Sequence, residues 1–231
     1  MHIYLKIINK VKKNKSENIN MLNIYFNNKE IKSKKYTILF LLIIFTIVMT
    51  FTSCVSFPQR EYISISRKIS DTGKLSATDL ARFFRKNNKD ISYFKVKKFA
   101  QTYINEATME NINSDVAFAQ MCLETGYLTY GNLVTPDMNN FCGLGSTDPQ
   151  HPGEIFATEQ LGIRAHIQHL QAYATTEDIK LNNQLIDPRY NWVHKTKYIQ
   201  TIDQLAGTWA MDPDYGNKLE NILARMEYMV N

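Results

Sequence analysis

Every residue from Val116 to Leu123 is apolar except Gln120, and the thirty residues after Tyr127 hold Gly131, Pro136, Gly143, Gly145, Pro149, Pro152 and Gly153. The apolar stretch, with Ser114 as its cap, predicts a helix over 115–127 that is buried on most sides. The breaker-rich stretch predicts a long ordered loop at 128–157, with a short hairpin at Glu154–Thr158. Loops of that length inside a compact domain usually carry function. The expected fold class is α+β and mostly helical, with a loop and short β-hairpin flank beside the central helix.

Gln120 and Glu124 interrupt the apolar run four residues apart, and Tyr127 lies three further on, so a continuous helix puts all three on one face. A carboxyl on that strip is partly removed from water, which favours its neutral form and raises its pKa. A carboxyl kept protonated near neutrality is what a general acid requires. The plain alternative is that Glu124 merely ends the helix in solvent, with Gly126 as the cap. Asn139-Asn140-Phe141-Cys142-Gly143-Leu144-Gly145 tilts the balance toward a site. Its asparagines and glycines suit a turn that offers backbone and amide groups to a sugar.

Further helices are expected at 76–88, where Asp79 completes a capping box with Ser76, and at 92–110. Others are expected at 159–174 behind Thr158, at 202–211 and at 214–229. The net charge of +5 is lopsided: residues 1–53 carry nine lysines against Glu17 and Glu30, whereas the rest holds 18 basic and 20 acidic side chains. The main body therefore lacks the basic surface that nucleic-acid binding needs.

Nothing from Tyr36 to Gln59 is charged, and Ile38–Met49 is apolar apart from Thr46. That run has the length of a signal-peptide core and falls short of a membrane span. Lys29, Lys32, Lys34 and Lys35 precede it, which predicts export of the residues beyond it. Phe51-Thr52-Ser53-Cys54 resembles a bacterial lipobox with Cys54 as the lipidated residue, so the membrane is an expected partner through this segment. An uncleaved anchor over 36–57 is the alternative, and Met21 opens a leader of more ordinary length. The expected organisation is a signal or anchor at 1–53, a tether at 54–75 and a catalytic domain at 76–231. Outside the cytoplasm Cys122 and Cys142 could form a disulfide or remain two buried thiols.

Four segments then occur in the order found in one family. They are Ala119-Gln120-Met121-Cys122-Leu123-Glu124-Thr125-Gly126, the Asn139–Leu144 loop, the stretch 156–173, and Trp209-Ala210-Met211-Asp212-Pro213-Asp214-Tyr215. The first resembles the AQxxLESGxG-like helix end of the glucosaminidase family of peptidoglycan hydrolases, the second its NNxFGI-like loop and the last its YATDPxY-like segment. The resemblance covers roughly residues 95–230. It departs from the pattern at Thr125, where the family has Ser, at Tyr127 for Trp, at Cys142 for Phe and at Trp209 for Tyr. What it implies is a lysozyme-like fold and cleavage between N-acetylglucosamine and N-acetylmuramic acid, with Glu124 as the acid and Tyr215 assisting.

Glycoside cleavage generally wants a second carboxylate, roughly 5–9 Å from the first. Glu154, in the expected hairpin, and Glu159, in the first turn of the next helix, are the candidates, with Glu154 favoured because helix-end acids need no further reason. Asp137 is a weaker one, and the acetamido group of the substrate could replace a protein nucleophile. Gln120, Tyr127, Asn140, Phe141 and Trp209 are the expected sugar contacts. His166 and His169 stand three apart but lack an HExxH pattern or an evident third ligand, so no metal is expected, and no cofactor is implied. They read instead as surface or internally satisfied histidines. The functional expectation is an exported hydrolase of cell-wall glycan strands. A non-catalytic wall-binding or scaffolding lipoprotein with the same cleft is the reading from another class.

Overall fold

The computed structural model describes residues 20, 21, 23, 27–32, 34–46 and 62–231. The chain divides into two units, 1–59 and 60–231. In the first, the described residues at 27–32 and 34–46 are helical, and Lys34 pairs with Glu30 at 2.8 Å. No helix among the described residues is long and apolar enough to cross a membrane. Cys54 and the lipobox around it lie outside the described residues.

The second unit is helical. It comprises α1 (Ala77–Asn87), α2 (Tyr93–Met109), α3 (Ser114–Glu124), α4 (Glu159–Ala174), α5 (Tyr190–Thr196) and α6 (Tyr215–Val230), with single 3-10 turns at Pro136–Met138 and Ile202–Leu205. The starts of α1 and α2 follow their sequence signals: Ser76 and Asp79 form a reciprocal capping box, and Ser92 caps α2. Helix α3 lies at the centre, in contact with α1, α2, α4 and α6. Phe118 on α3 meets Phe84, Phe99 and Tyr103 edge-on, at centroid distances of 6.4, 6.4 and 5.7 Å. Each such buried aromatic contributes on the order of 1.5–3 kcal/mol through area removed from water.

Several expectations are corrected here. The segment expected as a tether belongs to the fold from Tyr62 onward. Ile65, Ile69 and Leu75 are buried, and Ile65 N–H donates to Glu227 on α6 at 2.5 Å. Arg67 forks onto Glu220 at 2.6 Å and Glu227 at 3.0 Å, while Asp115 accepts the Lys74 N–H at 2.7 Å. Helix α3 is capped by Asn113, whose Oδ1 accepts from the Asp115 and Val116 amides at 3.0 and 3.4 Å. It also stops at Glu124 instead of reaching Tyr127, because Gly126, Tyr127 and Leu128 all take left-handed backbone angles, with φ of 57°, 57° and 60°. A left-handed non-glycine residue costs roughly 1–2 kcal/mol. Asn88 Nδ2 helps to hold the turn by donating to Tyr127 O at 2.8 Å.

The hairpin at Glu154–Thr158 does not form. Its backbone makes one bond to each of two different places, Glu154 N–H to Leu144 O at 2.8 Å and Phe156 N–H to Met138 O at 2.9 Å, so no ladder develops. The helix expected at 202–211 shrinks to a 3-10 turn ending at Leu205, because Gly207 adopts a φ of 72°. Cys122 and Cys142 are two separate buried thiols.

Candidate active site

Because α3 ends at Glu124, the carboxyl leaves the last helical turn at the floor of an open cleft. That cleft is lined by Thr125, Tyr130, Asn140, Gly143 and Trp209 among others. Its opposite wall is the asparagine-glycine loop, which two features hold in place. Asn140 lies fully buried and closes the loop: its Oδ1 accepts from Leu144 N at 3.0 Å, and its Nδ2 donates to Leu144 O at 2.9 Å and Glu154 O at 3.1 Å. The loop also rests directly on α4 at Gly162, where a Cβ would come within 1.7 Å of Asn139 O. Only glycine allows that approach. Gly143, at a φ of 67°, turns toward the carboxyl, and a Cβ built there would stand 3.9 Å from Glu124 Oε2.

The two carboxyl oxygens have different surroundings. Oε1 accepts from Trp209 Nε1 at 3.0 Å and from the Tyr215 hydroxyl. Oε2 is the oxygen facing Gly143. A neutral carboxyl holds its carbonyl where the donors are, so the proton belongs on Oε2, directed into the cleft. Burial raises the Glu124 pKa, and the two donors to Oε1 oppose that rise. Burial together with the charge of Glu124 pushes the Tyr215 hydroxyl up, so it stays a donor.

Behind Tyr215 runs a buried chain of hydrogen bonds. Gln120 Nε2 donates to the Tyr215 hydroxyl at 2.8 Å. With its amide nitrogen so engaged, the Gln120 carbonyl accepts from His166 Nε2–H at 3.1 Å, and His166 Nδ1 accepts from the Tyr103 hydroxyl at 3.0 Å. Burial pushes the His166 pKa down to about 3, so the ring is neutral and holds this tautomer. Every donor in the chain points toward Glu124. The amide at its centre transfers no proton readily, so the chain orients the catalytic side chains and does not conduct.

The remaining expected residues fall in several places. Tyr215 and Trp209 join Glu124 directly, and Gln120 joins through Tyr215 without reaching the cleft surface. Asn140 stands in the cleft wall but is wholly buried, with both amide atoms engaged in closing the loop. Phe141 is 4% exposed and packs against Phe99 at 5.0 Å, so its ring belongs to the core. Tyr127 packs its ring on Phe83 and Phe84 at 6.1 and 5.9 Å, a consequence of the left-handed turn that takes it off the Gln120–Glu124 face. The side chain of Glu154 lies over Gly145, and the charge of Glu159 bears on Tyr130, whose hydroxyl burial has pushed up to about 12. Neither of these two carboxylates lines the Glu124 cavity, and exposed Asp137 sits in the Pro136–Met138 turn. His166 and His169 are both buried rather than on the surface, and His169 Nδ1 pairs with Asp187 at 2.7 Å. Tyr103 and His166 escaped sequence reasoning as parts of the site. The signal available was that α4 carries polar side chains along a face that must be buried.

A carboxyl at the floor of an open groove, its pKa raised by burial and its Oε1 steadied by an indole and a phenol, can when protonated give its proton to an oxygen laid across it. That defines a class, acid-assisted bond cleavage in an open cleft. The comparisons are specific within that class. Residues 100–228 match the glucosaminidase family, described as mannosyl-glycoprotein endo-beta-N-acetylglucosaminidase, and the chain belongs to that family. It is also 35% identical over 193 residues to an uncharacterized protein of Borreliella burgdorferi, covering 80% of this chain and 93% of that one. Membership makes a glycan the substrate class that the family suggests, and glycoside hydrolysis the activity.

Proposed function

We propose that this chain is an exported peptidoglycan hydrolase that cleaves the β-1,4 bond after N-acetylglucosamine in cell-wall glycan strands. The observation that carries the reading is the Glu124 carboxyl, desolvated, fixed at Oε1 by Trp209 and Tyr215, and facing Gly143 across the cleft through Oε2. Glu124 protonates the glycosidic oxygen of a strand lying between α3 and the asparagine-glycine loop. Tyr215 holds the acid in position and Trp209 offers its ring edge to the sugar. Glu154, whose side chain lies against Gly145 of the same loop, guides water or balances the oxocarbenium charge, with Glu159 or the substrate's own acetamido group as the alternatives. The lysines ahead of the uncharged run 36–59 support export, with Cys54 as the site of lipid attachment.

The test is the Glu124→Gln variant on purified sacculi, with mass spectrometry of the released fragments. The wild type should liberate fragments whose reducing end is N-acetylglucosamine, and the variant none while still binding. Release that survives the substitution refutes the assignment. A wild type that binds and releases nothing supports a wall-binding or scaffolding role instead.

A further inference from the structure

The cleft does not end at Trp209. A second cavity of about 200 Å³ shares Cys142, Gly143, Ser146 and Trp209 with the one above Glu124, so the two are lobes of one groove. Their linings differ in charge. Among the described residues lining the first lobe, Glu124 is the only ionised or ionisable carboxyl and no lysine or arginine occurs. The second lobe is lined by Arg189 and Lys197 and by no acidic side chain.

The acid nearest to Arg189 in sequence is already committed. Asp187 is buried, its Oδ2 holds His169 Nδ1 at 2.7 Å, and its Oδ1 accepts the Arg189 backbone amide at 2.8 Å. Neither Arg189 nor Lys197 forms an ion pair with a described carboxylate. The Arg189 guanidinium instead lies 5.9 Å from the ring centroid of Trp192, a side chain left 57% exposed. A guanidinium resting on an indole keeps its edge donors free, in the fork geometry that matches a carboxylate.

We infer that this second lobe is a carboxylate-recognition subsite, which seats the acidic substituent of a sugar one position along the strand from the bond above Glu124. Cleavage at Glu124 rests on the function proposed above, whereas binding in the lobe does not. In a cell-wall strand the carboxylate has two sources, the peptide stem where one is attached and the lactyl ether of the sugar where the stem has been removed. Neutral amino-sugar oligomers offer neither. The lobe would thus make the protein prefer acidic glycan strands over neutral ones of the same backbone.

Binding can be measured in the full chain carrying Glu124→Gln, so that no substrate is consumed, with and without Arg189→Gln and Lys197→Gln. Three ligands are compared: soluble stem-bearing strands, strands stripped of stems by an amidase so that the lactyl carboxylate is free, and N-acetylglucosamine oligomers. Removing the two charges should weaken carboxylate-bearing ligands by about tenfold, as expected for losing hydrogen bonds to a charged group. The neutral oligomers should change far less. Loss on stem-bearing strands alone assigns the stem's carboxylates as the source, loss on stripped strands alone assigns the lactyl carboxylate, and loss on both shows that the lobe takes either. Raised salt should reproduce the trend with the charges intact. Equal weakening on all three ligands, or none on any, overturns the inference. Charge-dependent binding beside a wild type that never releases reducing ends would instead refute hydrolysis and leave the subsite standing.

Discussion

Replacing Tyr215 by Phe removes one oxygen and two hydrogen bonds. One runs from the hydroxyl to Glu124 Oε1, and the other brings Gln120 Nε2 to the hydroxyl at 2.8 Å. Gln120 is wholly buried, so its amide N–H is stranded without water or partner. That orphaned donor costs about 1–3 kcal/mol of stability, seen as a fall of roughly 2–4 °C in Tm per kcal/mol for a domain of this size. Trp209 Nε1 still holds Oε1 at 3.0 Å, so the acid is loosened rather than released. Losing one hydrogen bond to a charged or charging group is worth about 1.5–3 kcal/mol, which places the fall in kcat at roughly 10- to 100-fold.

The pH dependence carries a sign. Both donors to Oε1 favour the charged carboxylate and work against the rise caused by burial. With the phenol gone, burial acts with less opposition and the Glu124 pKa climbs further. The alkaline limb of kcat/KM, where the acid loses its proton, therefore moves to higher pH while the maximum falls. The assay is release of reducing ends from sacculi across a pH series, with a thermal melt as control. An unchanged kcat with the limb stationary, or a limb moving to lower pH, refutes the arrangement of donors around Oε1.

Gly162→Ala should displace the asparagine-glycine loop from α4, since the new methyl would meet Asn139 O at 1.7 Å. The expected result is a loss of at least about 1–3 kcal/mol in stability from overpacking, together with activity lost out of proportion to the fraction unfolded, read by chemical denaturation and turnover. A protein of wild-type stability and rate would mean that the loop does not need that contact. Burial pushes both the Cys122 and the Cys142 thiol well up. Iodoacetamide at neutral pH should therefore leave both unlabelled in the native protein and label both in denaturant without prior reduction, as read by peptide mass spectrometry. A pair of peptides that stays unlabelled in denaturant until a reductant is added would show a disulfide instead.

Much of the site was legible because its signals are local. Gln120 stands out as the one polar interruption of the run from Val116 to Leu123 and Glu124 as the acid that follows it, and the run is buried from Val116 to Cys122 as its composition demands. The glycines at 143 and 145 do sit in left-handed turns facing the groove. What escaped depends on partners distant in sequence. His166 and Tyr103 are 63 positions apart, and nothing in either segment announces that a neutral imidazole will lie between a phenol and Gln120. Residues 62–75 read as a tether because their few apolar side chains, Ile63, Ile65, Ile69 and Leu75, alternate only weakly and form no sustained helical stripe. What holds them lies far off in sequence: Glu227 on α6 for Ile65 and Arg67, Gln200 and Asn113 for Ile69, and Asp115 at the start of α3 for Leu75. Helix α5 was missed for a different reason: it is seven residues long, and Arg189 at its start makes no side-chain cap. The Tyr127 expectation failed at a boundary, since one turn's difference in where α3 stops moves that ring from the cleft face onto Phe83 and Phe84.

Hydrolysis at this cleft requires Glu124 to hold its proton where a free glutamate would have lost it. Carbon-13 NMR of the Glu124 carboxyl, assigned by its absence in Glu124→Gln and followed through a pH titration of the full chain, reads that proton directly. The midpoint should lie above the ordinary value of about 4.3 and coincide with the alkaline limb of activity. A midpoint at or below that value would contradict the role given to this carboxyl.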